Sequence, residues 1–146
     1  MLQTLNPIVV TLIGKILPQN MLSVRMLGSV EAGFPSPAEE SLVDNISLDD
    51  LLIQNREATF LLKVSGDSMT GAGIMPGDMV IVDKGQAPKS GDIVIAQVDG
   101  EWTMKYLRKR GETLSLIAAN PKYPPITPKR ELKISGVVTA VVRKYK

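Results

Sequence analysis

With 146 residues and 44% hydrophobic content, the chain is long enough for one domain with a buried core, and its composition excludes disorder as the main state. It contains no histidine and no cysteine, which excludes a disulfide framework, a Ser-His-Asp triad, a Cys-His pair and a His- or Cys-ligated zinc site. A net charge of +2 conceals a strong asymmetry: +1 over residues 1–33, −8 over 34–104 and +9 over 105–146. Two readings follow: the segments neutralise each other within the fold or across a dimer, or the basic part meets a nucleic acid or nucleoprotein. Only Arg108-Lys109-Arg110 is a true basic run, and that favours the first.

Residues 1–32 read as an arm. Pro7 and Pro18 interrupt it, and its apolar residues keep no sustained period. Ile8 to Ile13 is apolar but far short of the ~18 residues that suggest a membrane span. Val30-Glu31-Ala32 before Gly33 loosely resembles a signal-peptidase site. No basic residue precedes the apolar run, however, and the spacer is long. The expectation is a soluble cytoplasmic protein without a membrane anchor. Ala32-Gly33-Phe34-Pro35-Ser36-Pro37 then clusters glycine and proline, favouring an extended, exposed path of the kind a protease needs in a substrate.

Ser47 to Gln54 reads as a short helix, with Ser47 as N-cap and acids in its first turn. From residue 59 the period changes to two. Strands are expected over Thr59–Ser65, Met79–Val82, Ile93–Ala96, Trp102–Leu107, Thr113–Ala118 and Ile134–Val142. Pro76-Gly77-Asp78, Ser90-Gly91-Asp92, Asp99-Gly100 and Arg110-Gly111 separate them as turns. The fold expected is mainly β: a compact, twisted, barrel-like or sandwiched sheet with one short helix and a flexible N-terminal arm.

The chemistry narrows to Ser68 and Lys105. Without histidine or cysteine, a serine activated by a lysine is one of few hydrolase designs left. An ammonium has no lone pair, so the lysine must lose its proton, and burial among apolar groups favours that loss. Thr103 and Leu107 share one face of the strand with Lys105, and Trp102 and Met104 occupy the other, a setting able to desolvate the amine. Ser68 follows a strand end and Gly66, which permits a sharp turn whose backbone N–H groups can line an oxyanion hole. Each residue also has a plain alternative: a turn or capping serine and a solvated strand lysine. No cofactor or metal site is expected.

The wider pattern is more specific. Val64-Ser65-Gly66-Asp67-Ser68-Met69 and Gly73-Ile74-Met75-Pro76-Gly77-Asp78 resemble the serine core of the LexA-type self-cleaving serine peptidases. Gly91 to Ala96 and Asp99 to Leu107 resemble their lysine segment, and Ala119 to Ile126 with Gly136-Val137-Val138 resemble their C-terminal strands. Ala32-Gly33 resembles the cleavage site. Gly33 to Ala38 and Leu51 to Gln54 are similar to the UmuD branch of that family.

The resemblance implies Ser68 as nucleophile and Lys105 as base. It implies autoproteolysis at Ala32-Gly33 in the SOS response, removal of the arm 1–32, and a β-rich peptidase-like domain over 33–146. It further implies a homodimer, stimulation by a RecA–single-stranded-DNA filament, and association with a UmuC-like Y-family polymerase in error-prone translesion synthesis. Residues 1–32 are read as too few for a helix-turn-helix head, so direct sequence-specific DNA binding is not expected. The competing readings are a LexA- or phage-type repressor relative lacking that head, a signal-peptidase relative, and a non-catalytic β module.

Overall fold

A computed structural model of the chain describes residues 10–15, 23–25, 33 and 45–146. The chain forms two compact units, Met1–Ile16 with Asn55–Lys146, and Leu17–Gln54. Among the described residues of the first unit, seven strands form one antiparallel sheet. They are β1 (Val10–Lys15), β4 (Thr59–Val64), β5 (Met79–Asp83), β6 (Ile93–Val98), β7 (Glu101–Arg110), β8 (Thr113–Ile117) and β9 (Leu132–Val142). Their spatial order is β1-β4-β5-β9-β6-β7-β8. In the second unit, β2 (Ser23–Arg25) pairs with β3 (Asn45–Ser47), and helix α1 (Leu48–Leu52) follows.

The mainly β expectation holds, and each of the six expected strands is present, some longer than read. β7 runs three residues past Leu107 because Arg108 to Arg110 pair with Thr113 to Ser115 across the hairpin. β9 joins the two halves of the sheet: its first half pairs with β6 and its second with β5.

Two local readings change. Val10–Lys15, expected to be irregular arm, is an edge strand paired to β4 from Phe60 to Val64. A register shift between Leu12 and Gly14 breaks its alternation, so no period-two pattern stands out in the sequence. Ser47 sits at the helix N-cap but makes no side-chain cap bond; it also ends β3, and its Oγ is buried without a partner among the described residues. The helix is correspondingly short.

Successive strand residues point to opposite faces, which explains the continuous apolar runs of β5 and β6. On β6, Ile95 joins a cluster with Val64, Met69, Ile74, Val80, Val82 and Met104. Its neighbours Val94, Ala96 and Val98 join a second cluster with Leu107, Leu116 and Val137. At the C-terminal end, Arg143 donates to both carboxylate oxygens of the buried Asp78 and to the carbonyl of Gly73, fastening the last strand to the turn before β5. That ion pair holds the Asp78 carboxyl below the usual range.

Candidate active site

The serine is carried by the turn that leaves β4. Val64 closes the strand end by donating its N–H to the Asp78 carbonyl at 2.8 Å and accepting from Gly77 N–H at 2.8 Å. Gly66 then turns the chain with φ 97°, a conformation open to glycine and strained for other residues. Met69, fully buried in the first core cluster, anchors the far side of the turn. Between these fixed points Ser68 is 0% exposed.

Lys105 approaches from the middle of β7, where it pairs with Val94 of β6. It shares its strand face with Thr103 and Leu107, and it is 1% exposed. Lys105 Nζ donates to Ser68 Oγ at 3.1 Å and to Thr103 Oγ1 at 2.7 Å. The serine and lysine singled out from sequence, 37 residues apart, are therefore in direct hydrogen-bond contact inside the protein. Burial pushes the amine down from its ordinary 10.5 to about 8. The neutral form is thus accessible near physiological pH, and neutral nitrogen can accept a proton from a hydroxyl.

A sequence model of the Peptidase S24-like family matches residues 25–139, a span that includes both side chains. The chain belongs to the Peptidase S24-like family. Among relatives of this S24-like chain, a LexA repressor of Carboxydothermus hydrogenoformans is 39% identical over 142 residues, covering 96% of this chain and 69% of the relative. Protein SamA of Salmonella typhimurium is 44% identical over 113 residues, covering 77% of this chain and 79% of SamA. Protein ImpA of Salmonella typhimurium is 40% identical over 115 residues, covering 78% of this chain and 79% of ImpA.

Of the other sequence-derived site residues in this S24-like chain, Gly33 is exposed and has φ 122°, again a conformation that favours glycine. Ala32 lies outside the described residues. An open pocket of about 280 Å³ contains Phe60, Leu62, Val82, Ile95 and Trp102 in its lining. Trp102 alternates with Lys105 along β7, so this pocket opens on the other face of the strand from the amine. Among the described residues there is no cluster of acidic side chains suited to a metal, and no helix long and apolar enough to cross a membrane.

Sequence reasoning did not single out Thr103 as a partner of the amine, nor Asn120 and Tyr123 as neighbours of the serine turn. Asn120 Nδ2 donates to the carbonyl of Asp67 at 2.9 Å, and Tyr123 O–H donates to the Asp67 carboxylate. Thr103 was legible through strand parity alone. The other two contacts span 53 and 56 residues and leave no local signal.

Proposed function

We propose that the chain is a self-cleaving serine peptidase of the SOS response, with Ser68 as nucleophile, Lys105 as general base and Ala32–Gly33 as the scissile bond. The observation that carries this reading is the buried hydrogen bond of 3.1 Å between Lys105 Nζ and Ser68 Oγ, beside an amine that burial pushes down to about 8. As Ser68 Oγ bonds to the carbonyl carbon of Ala32, its proton passes to neutral Lys105 Nζ. Backbone N–H groups of the turn after Gly66 stabilise the oxyanion. Collapse expels the Gly33 nitrogen, which takes the proton back from Lys105. Water, deprotonated by the same amine, then releases Ser68 and leaves a carboxylate on Ala32. The left-handed φ of Gly33 supports a glycine at that position, since a side chain there is strained.

Following the resemblance to the UmuD branch, residues 1–32 are an arm removed by this cut. Residues 33–146 then act as a cytoplasmic homodimer that joins a UmuC-like Y-family polymerase for translesion synthesis. A RecA–single-stranded-DNA filament stimulates the cut. The test is incubation of the full chain with an activated RecA filament, followed by intact-mass measurement. A fragment beginning at Gly33 is expected, with Ser68→Ala and Lys105→Ala both inert and the double variant no worse than either. A dominant cut elsewhere rejects the proposed bond. Residues 33–146 should then co-purify with such a polymerase more strongly than the uncut chain.

A second reading, a LexA-type repressor relative, draws on the LexA match that spans 96% of this chain. Tight sequence-specific DNA binding by the purified protein would favour it over the polymerase accessory.

A further inference from the structure

Asp67, the residue immediately before the proposed nucleophile, is gripped on both its main chain and its side chain. Its carbonyl oxygen accepts from Thr70 N–H at 3.3 Å, Thr70 Oγ1 at 3.1 Å and Asn120 Nδ2 at 2.9 Å. One carboxylate oxygen accepts from Tyr123 O–H, and the other lies 3.6 Å from Lys122 Nζ. Asn120 is itself held, since its Oδ1 accepts from Lys122 N–H at 3.0 Å and its carbonyl from Tyr123 N–H at 3.1 Å. Gly71 N–H reaches the Ala119 carbonyl at 2.7 Å, so the 119–123 loop meets the serine turn on both sides of Ser68.

The Asp67–Lys122 ion pair is poorly placed to stabilise the fold: its side chains are 42% and 68% exposed, and exposed ion pairs add little to stability. The set of bonds as a whole is well placed to fix direction. Ser68 has its neighbour's peptide pinned at the carbonyl and its neighbour's side chain pinned at the carboxylate. Rotation of that peptide would swing Oγ away from Lys105 Nζ. Displacements of about 1 Å can cost a reaction up to ~100-fold.

We propose that Asp67, Asn120 and Tyr123 are positioning residues, a clasp by which the 119–123 loop aims Ser68 Oγ at Lys105 Nζ. The proposal rests on the peptidase reading above. The clasp stays closed across the range in which Lys105 titrates. The Tyr123 hydrogen bond holds the Asp67 carboxyl below the usual range, and the same bond holds the Tyr123 phenol above its own. Loosening the clasp therefore lowers the rate at every pH and leaves its midpoint in place, because burial, and not the clasp, is what pushes Lys105 down.

The test uses the full chain as wild type, Tyr123→Phe, Asp67→Ala, Asp67→Asn, Ser68→Ala and Lys105→Ala. Self-cleavage rates are measured from pH 6 to 10, well below each variant's Tm. Labelling by a fluorophosphonate is followed in parallel. In that reaction Ser68 Oγ bonds to phosphorus, fluoride leaves and the proton passes to Lys105, so the readout does not require a cut after Ala32. Tyr123→Phe and Asp67→Ala should lower the plateau and the labelling rate about tenfold with an unmoved pH midpoint, the effect of one lost hydrogen bond to a charged group. Asp67→Asn keeps an oxygen for Tyr123 and should stay within about threefold of wild type.

A wild-type plateau and labelling rate in Tyr123→Phe overturns the clasp. So does a loss in Asp67→Asn equal to that in Asp67→Ala. If Ser68→Ala or Lys105→Ala still self-cleaves, the peptidase reading fails instead. If the wild type does not self-cleave, the labelling rates decide the clasp by themselves.

Discussion

Thr103 Oγ1 accepts a hydrogen bond from Lys105 Nζ at 2.7 Å, and both side chains leave the same face of β7. The amine is thus held between two hydroxyls, Thr103 and Ser68, at a site that leaves it 1% exposed. An ammonium in such a place would need an anion; a neutral amine is satisfied by hydroxyls. Thr103 therefore suits the base form of Lys105 and fixes its direction.

Replacing that hydroxyl tests the point. Thr103→Val keeps the shape and removes the oxygen, so self-cleavage should fall about tenfold, the loss expected for one hydrogen bond to a charged or polarised group. Thr103→Ser should retain most of the rate. Single-turnover cleavage followed by intact mass measures both. A wild-type rate in Thr103→Val means that the hydroxyl does not orient the amine.

The pH dependence follows from the same burial. In the proposed mechanism the neutral amine is the active form, so the rate should rise about tenfold per pH unit below the Lys105 midpoint and flatten above it. With the amine pushed down to about 8, the bend should lie near that pH and well below the ordinary 10.5. Arginine does not deprotonate in this range, so Lys105→Arg should stay inactive from pH 6 to 10. A flat wild-type profile excludes a lysine base.

Stability should carry the mirror image of that profile. The folded-state value of Lys105 is lowered, so between about 8 and 10.5 the unfolded chain binds a proton that the folded chain does not. Stability then rises with pH across that window, by at most about 1.4 kcal/mol per pH unit from this one group. Below the window the full penalty for a buried ammonium remains. Lys105→Met lacks the group, and urea titrations at several pH values should show the wild-type-minus-variant difference climbing from pH 8 to 10. A constant difference shows that Lys105 is not desolvated.

Gly71 offers a steric test of the serine turn. A Cβ built there would lie 2.5 Å from the Ala119 carbonyl oxygen, which also accepts the Gly71 N–H at 2.7 Å. That oxygen belongs to the backbone, so it cannot yield without moving its loop. Gly71→Ala should destabilise by about 1–3 kcal/mol, as overpacking does. It should also depress cleavage more than the lower Tm explains, since the turn that moves carries Ser68. Calorimetry alongside rates at a temperature far below the transition separates the two effects.

The sheet was legible because its strands are apolar at a short, regular period and are punctuated by Pro-Gly-Asp, Ser-Gly-Asp, Asp-Gly and Arg-Gly turns. Ser68 and Lys105 were legible by elimination and by pattern, and strand parity placed Thr103 beside the lysine. What stayed hidden depends on tertiary contact. The edge strand Val10–Lys15 is defined by its pairing with β4, and Ser47, which ends β3, makes no side-chain cap bond. Asn120 and Tyr123 find Asp67 only when the chain has folded back across more than fifty residues. Short polar contacts of that kind follow no period, so no window of sequence contains them.

The edge strand has a consequence for what a cut means. Val10 to Lys15 lie within the segment that hydrolysis after Ala32 would sever, and they occupy the outer side of β4 from Phe60 to Val64. Departure of the severed piece would leave that side of β4 as a vacant row of amides and carbonyls, which is a template for another strand. A single broken peptide bond would then change how many neighbours the sheet can accept, in the strand that leads directly to Ser68. Amide exchange at Leu61 and Lys63, which alternate with the Val64 N–H bound to Asp78 and so point toward β1, should quicken when the fragment leaves and slow again when a partner strand takes its place.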